Sequence, residues 1–535
     1  YPVAIAAEDD YVYIASLASV DGIENAQNPT KIYPNWLKNQ KYGSSFDMHI
    51  TKIKLNQSVG DFDGIQTGSI TVTKEWTAKF PLDPSNETPP PRVYIGGIIH
   101  KKTETEGKDV LIVTGSTRGQ GPGYGSATGD DEDGFVTVLD PSTGDSLGDG
   151  VREGSGKDDV VMGVCDDPND PKHFFIVGAT EGDIGTMQST DMSETPSQML
   201  SPFVRQVIVD RSSNNNDNTW TLQWAVLPSK QEGPIEAAYG SAIGCVVDED
   251  YIYVAGTIDN GASIVQGNDR KKSQGGDDVW VTKIDKTTQE VIWLTQLGSS
   301  GNDRLAPYGG IAIDNSGNPI IYGDTNGSIY RARSSSEDSS VEDMFVMSLN
   351  GETGSVPSDD SSRFFGGISN ADGIISDDAP MQEPTWSPTY YVTDDQEDDT
   401  DDNDNVDNND TAQEDNEDDK NSFQDGNGAF PYSDTPPDGI VAIQTDKTVP
   451  SYAGGMYYDS YTNAVYITGA LYTSSAESQK SSQCSFGIAS LPNLNWKQQE
   501  IYGTNSAPEA CSAISLTNFN GKSEIGRAHA ELQSH

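Results

Sequence analysis

Histidine and cysteine are scarce in this chain, with five and four in 535 residues. His49, His100 and His173 stand at unrelated positions and form no H-x-H or H-E-x-x-H pattern, so no metalloprotease-type site is indicated. Cys165, Cys245, Cys484 and Cys511 form no CxxC pair, which argues against a structural zinc site. Cationic side chains are also few: 33 Lys and Arg stand against 83 Asp and Glu, a net charge of −50. Such a surface repels nucleic acid and anionic lipid, so neither is expected as a partner. No apolar run reaches the roughly 18–20 residues of a membrane helix. The Gly-rich stretch 115–129 lacks both G-x-G-x-x-G and G-x-x-x-x-G-K-[ST], and no G-x-S-x-G occurs anywhere. Carboxylates are too numerous to mark a glycosidase pair.

What the chain does have is short strands and turn chemistry, with 54 Gly and a hydrophobic content of 34 %. Between Gly275 and Gly327, four apolar runs (279–284, 291–297, 309–313 and 319–323) alternate with Asp, Asn, Gly, Ser and Thr. The pattern predicts a four-stranded antiparallel meander, and it recurs along the chain as a repeat architecture should. With strands lettered A to D in each repeat, the A–B hairpins fall at 3–16, 93–117, 160–180, 239–257, 309–323 and 452–470. A small residue recurs near the end of strand B: Ser16, Gly115, Gly178, Gly256, Gly323 and Gly469. Close backbone approach or a positive φ explains such a position. Strand D carries Trp76, Trp224, Trp293 and Trp496, expected to pack between neighbouring sheets. Cys165 and Cys245 occupy equivalent places in successive repeats and read as buried strand residues, with proximity across adjacent inner strands the alternative. Cys484 and Cys511 flank one strand-turn-strand unit, a spacing a disulfide can bridge.

The stretch 275–327 resembles the SBBP β-propeller repeat. The resemblance rests on Asp278, Trp280, Val281, Lys283, Ile284 and Asp285, then Trp293, Gly301 and Asp303, then Ile311, Ala312, Asp314, Gly317 and Asn318. Other repeats match in part. The resemblance implies an all-β propeller of four-stranded antiparallel blades over residues 1–523, with six recognisable blades and the start of a seventh. A seven-bladed ring is expected. Residues 355–437 read as an insertion, and 524–535 as a non-native tail, because EIGRAH is what a common sequencing adapter encodes in frame. The family confers no catalytic site, and its members are often extracytoplasmic binding modules.

In such a meander the A–B and C–D turns share one face, and the B–C and D–A connections the other. The long connections here are mostly B–C, as at 18–45, 181–201 and 326–342. Insertions concentrated on one face suggest a binding face. The expected function is therefore a non-enzymatic, monomeric, secreted or cell-surface module whose long loops contact extracellular protein or glycan. The competing expectation is an extracellular propeller hydrolase or lyase with acidic residues in the central channel. Four N-x-S/T sequons, at Asn56, Asn86, Asn326 and Asn409, fit a glycoprotein. The run 394–420 holds fifteen Asp or Glu and one Lys and reads as disordered. Within it Asp398, Asp399, Asp401, Asp402 and Asp404 are the candidates for low-affinity Ca²⁺ condensation, although the run lacks the Gly and closing Glu of an EF-hand. No other cofactor is indicated. Asp166, Asp248, Asp314 and Asp459 recur in A–B turns, where Asp serves its own backbone.

Overall fold

A computed structural model describes residues 2–19, 46–62, 65–82, 92–103, 109–125, 131–148, 150–155, 157–182, 201–210, 219–225, 235–236, 240–258, 264–266, 269–270, 276–299, 301–326, 343–355, 368–369, 374–375, 440–443, 451–472, 482–491, 495–502, 515–519 and 522–526. All regular structure among them is strand. Six sheets follow one another in sequence, each an antiparallel meander. Sheet I comprises Pro2–Glu8, Tyr11–Ser19, Phe46–Phe62 and Ile65–Phe80. Sheet II comprises Arg92–Lys101, Val110–Arg118, Asp133–Leu139 and the short Val151–Glu153. Sheet III comprises Asp159–Asp166, His173–Thr180, Ser201–Asp210 and Thr219–Ala225. Sheet IV comprises Gly240–Val247, Tyr251–Ile258, Asp278–Asp285 and Val291–Leu297.

Sheet V has a broken first strand. Both Asp303–Leu305 and Ile311–Ile313 pair with Pro319–Thr325, which is followed by Asp343–Ser348 and Ile440–Ile443. The sequence pattern placed strand A of this repeat at 309–313 alone. Sheet VI comprises Ser451–Asp459, Ala464–Tyr472, Ser482–Ser490 and Asn495–Tyr502. A hairpin, Ser515–Phe519 with Lys522–Gly526, follows, and its second strand crosses the boundary drawn at 523. The first strands of the six sheets pack in order around a ring, and Ser515–Phe519 touches those of sheets VI and I. Successive four-stranded sheets arranged about their first strands make a β-propeller.

The recurring small residue has a physical explanation. On strand B, Gly115, Gly178, Gly256 and Gly323 stand directly opposite Phe135, Phe203, Trp280 and Phe345 of strand C. A Cβ on Gly178 would lie 1.8 Å from the Val160 carbonyl oxygen and 2.9 Å from the Phe203 ring. None of the four is among the residues with positive φ, so close approach is the operative cause. The neighbouring strand A shifts register here in sheets II, III and IV, and the same shift occurs in sheets I and VI. The core is continuous across blades. One cluster joins Tyr94, Val160, Ile243, Val281, Ile311 and Phe345, from sheets II to V.

Two features depart from the sequence pattern. Strands C and D of sheet I continue pairing past Leu55, out to Phe62 and Ile65, as a ribbon beyond the blade. Ile440–Ile443 is strand D of sheet V, so the insertion 355–437 lies in a C–D connection. Strands C and D of sheet V therefore join at the end of the blade that carries the A–B turns. Within the insertion Ser355 is described, as is a two-stranded pair, Ile368–Ser369 with Ile374–Ile375.

Candidate functional site

The residues that define the repeat are spent on holding blades together. In sheet IV, Lys283 donates from Nζ to the Gly351 carbonyl oxygen of the sheet V C–D turn at 3.0 Å, and Trp293 donates from Nε1 to the same oxygen at 3.2 Å. The ammonium also lies 4.0 Å from the centre of the Tyr251 ring, a cation–π arrangement. Gly354 of that turn has φ of 71°, and a Cβ there would lie 2.5 Å from the Trp293 ring. Sheet I repeats the device on sheet II. Lys52 and Trp76 both donate to the Pro141 carbonyl oxygen, and Lys52 lies 3.9 Å from the Tyr11 ring centre. Trp76 and Trp293 thus pack between sheets, as expected, while the side chains of Trp224 and Trp496 lie outside the described residues. Asp285 caps its own turn by accepting from the Thr287 and Thr288 backbone N–H groups. The Thr288 bond leads in holding its carboxyl below the usual range. Asp248, Asp314 and Asp459 cap A–B turns in the same way. Asp166 differs. It binds the buried Lys101 of sheet II, while its neighbour Asp167 accepts from the Asn169 N–H and pairs with Lys286 of sheet IV.

Carboxylates also recur on the opposite face, where D–A connections enter strand A. Asp303 accepts from the Ser299 backbone N–H at 2.6 Å, the Ser299 hydroxyl at 2.8 Å and the Thr325 hydroxyl. Asp159 makes the same bonds with Ser155 and Thr180. Each clasps the preceding blade: the Asp303 N–H donates to the Asp277 carbonyl oxygen, and the Asp159 N–H to that of Glu132. Burial pushes the Asp303 carboxyl up to about 7, with the charge of Asp278 adding to the rise. Burial and, less strongly, Asp133 lift Asp159 to about 6. Arg152 pairs with Asp133 at 3.0 Å and Arg304 with Asp277 at 2.8 Å. Two like carboxylates sharing a buried junction is also an acid–base arrangement. Here it occurs in near-identical form at two separate blade junctions, which marks it as a property of the repeat.

One aromatic contact crosses the ring. Tyr308, between the two halves of the split strand of sheet V, hydrogen-bonds side chain to side chain with Tyr94 of sheet II. Sheets II and V are not neighbours, so this contact runs across the ring. Tyr308 packs in addition on the core shared by sheets I and II, and burial raises both phenols above their ordinary value.

Among the described residues there is one disulfide: Cys165–Cys245 joins the first strands of sheets III and IV, 80 residues apart in sequence. Cys484 and Cys511 have side chains outside the described residues. So do the calcium candidates Asp398, Asp399, Asp401, Asp402 and Asp404, and the sequons at Asn86 and Asn409. The oxygen of the Asn326 side chain accepts from the Asn302 N–H at 2.6 Å. Among the described residues no helix is long and apolar enough to cross a membrane. His100, which no linear motif connects to other ligands, is brought beside Glu8 and Asp109.

No family model matches the chain, and no curated protein matches it. Among solved structures, a levansucrase mutant from B. megaterium is similar over 77 % of this chain and 84 % of that one, at 8 % identity and a TM-score of 0.27. A superposition that loose adds nothing to the fold, which stands on the sheets described above.

Proposed function

We propose that this propeller is a non-enzymatic binding module of the extracellular space or cell surface. Its recognition surface is formed by the long B–C connections, and its partner class is extracellular glycan or protein. The observation that carries this reading is the fate of the repeat residues. Asp278, Trp280, Lys283, Asp285, Trp293, Asp303, Asp314 and Asn318 are each engaged in a turn, a strand contact or a blade junction. Recognition then falls to residues outside the template, chiefly 20–45, 183–200 and 327–342. A disulfide between inner strands suits an oxidising compartment. We read 1–523 as one monomeric propeller with Ser515–Phe519 in its seventh position. The acidic run 394–420 adds a diffuse calcium-binding capacity at its own face.

The test is a screen of the full chain on glycan and extracellular-matrix-protein arrays, with and without EDTA. Saturable retention without turnover is expected. Release of sugar products would support instead the hydrolase or lyase reading, and no retention on either array would overturn the binding assignment.

A further inference from the structure

We propose that Glu8, His100 and Asp109 form a transition-metal site of the zinc class on the A–B face, at the junction of sheets I and II. Their donor atoms all lie within 4.8 Å of one another, a spread that small rotations bring onto one ion. The set is one imidazole and two carboxylates, the nitrogen-and-oxygen donor chemistry of zinc with room for water. An oxygen-only set would suit calcium instead.

The three residues come from different elements, and the fold holds each. Glu8 ends strand A of sheet I, and His100 lies one residue before the end of strand A of sheet II. Asp109 closes the A–B connection 102–109, longer than that of sheet IV, where only 248–250 separate the strands. His100 is held most firmly: its side chain is 5 % exposed and its ring lies nearly parallel to that of Tyr13, 5.7 Å away. Its Nε2 points at Glu8 Oε2, 2.5 Å distant. Asp109 is positioned by accepting from the Thr103 backbone N–H at 3.3 Å.

Without metal, His100 and Lys102 face Glu8. They lower its carboxyl against the opposing effect of burial. Lys102 Nζ lies 3.1 Å from Glu8 Oε1, but that side chain is 71 % exposed and free to withdraw. Metal entry replaces the His100–Glu8 contact with two bonds to the ion and displaces Lys102. Lys102 is therefore a competitor whose removal strengthens binding, an effect that a purely structural ion pair does not produce.

The experiment is a Zn²⁺ titration of the chelator-stripped full chain by calorimetry and thermal melting, in excess Ca²⁺ to occupy oxygen-only sites. One Zn²⁺ per chain and a raised Tm are expected. His100→Gln and Asp109→Asn should each weaken binding about tenfold or more. Lys102→Ala should tighten it. If the buried His100 variant fails to fold, the half-buried Asp109 variant decides. Absent zinc binding, affinity unchanged in Asp109→Asn, or weaker binding in Lys102→Ala would each overturn the assignment.

Discussion

Gly256 and Trp280 stand directly opposite each other on strands B and C of sheet IV, and the indole occupies the space of the side chain the glycine lacks. A Cβ on Gly256 would lie 2.7 Å from Trp280 Cζ2 and 1.8 Å from the Ser241 carbonyl oxygen. Strand A is thereby drawn close on one side while the blade's largest ring is buried against the other. Gly256→Ala is expected to cost about 3 kcal/mol, at the upper end of overpacking effects, because a backbone oxygen cannot move aside cheaply. Gly317→Ala is the control. Its φ is 80° but nothing lies within 4 Å of the added atom, so about 1 kcal/mol is expected. Urea melts of both variants check the difference.

The Cys165–Cys245 bond should be a main source of stability. It closes a loop of 80 residues, and in the chain-entropy account a loop of that length contributes about 4.5 kcal/mol. Replacing both cysteines with serine, or reducing the wild type, should lower the urea midpoint accordingly. An unchanged midpoint would show that the packing of sheets III and IV suffices alone.

Asp303 should make the protein less stable as pH rises. Its folded value is about 7, against an unfolded carboxyl near 4. Below the unfolded value both states hold the proton. Between the two values the unfolded chain releases it while the folded chain keeps it, so stability falls until the folded group also titrates. Asp303→Asn resembles the protonated side chain. It should match the wild type below about pH 4 and exceed it increasingly up to pH 8. A variant less stable than the wild type at both ends of this range would mean that Ser299 and Thr325 require the carboxylate.

Much of the fold was legible because the repeat residues obey local rules. The glycine opposite a strand C aromatic, the Asp-capped turns and the strand D tryptophans all announce themselves by period. The split strand of sheet V was not legible: Asp303–Leu305 is too short for a pattern, and Tyr308 and its neighbours interrupt the run. The sheet I ribbon was hidden by Asn56, Ser58, Gly60 and Asp61, residues that read as a loop. The Asp63-Gly64 pair ahead of Ile65 was the signal that a hairpin continued. The Glu8–His100–Asp109 cluster was beyond sequence reasoning, since its first two members lie 92 residues apart and meet only when two blades pack. The placement of the acidic insertion in a C–D connection depends on a four-residue strand, Ile440–Ile443, whose partner lies across the insertion.

The central claim is that the template holds the propeller together and the long B–C connections recognise the partner. It is tested most directly by comparing two variants on the same array. One replaces 183–200 with a short Gly-Ser linker; the other is Gly256→Ala. The account predicts that the linker variant keeps the wild-type melting temperature and loses retention, while Gly256→Ala melts lower and, below its transition, binds as the wild type does. Undiminished retention by the linker variant, together with loss of binding in a folded Gly256→Ala protein, would contradict it.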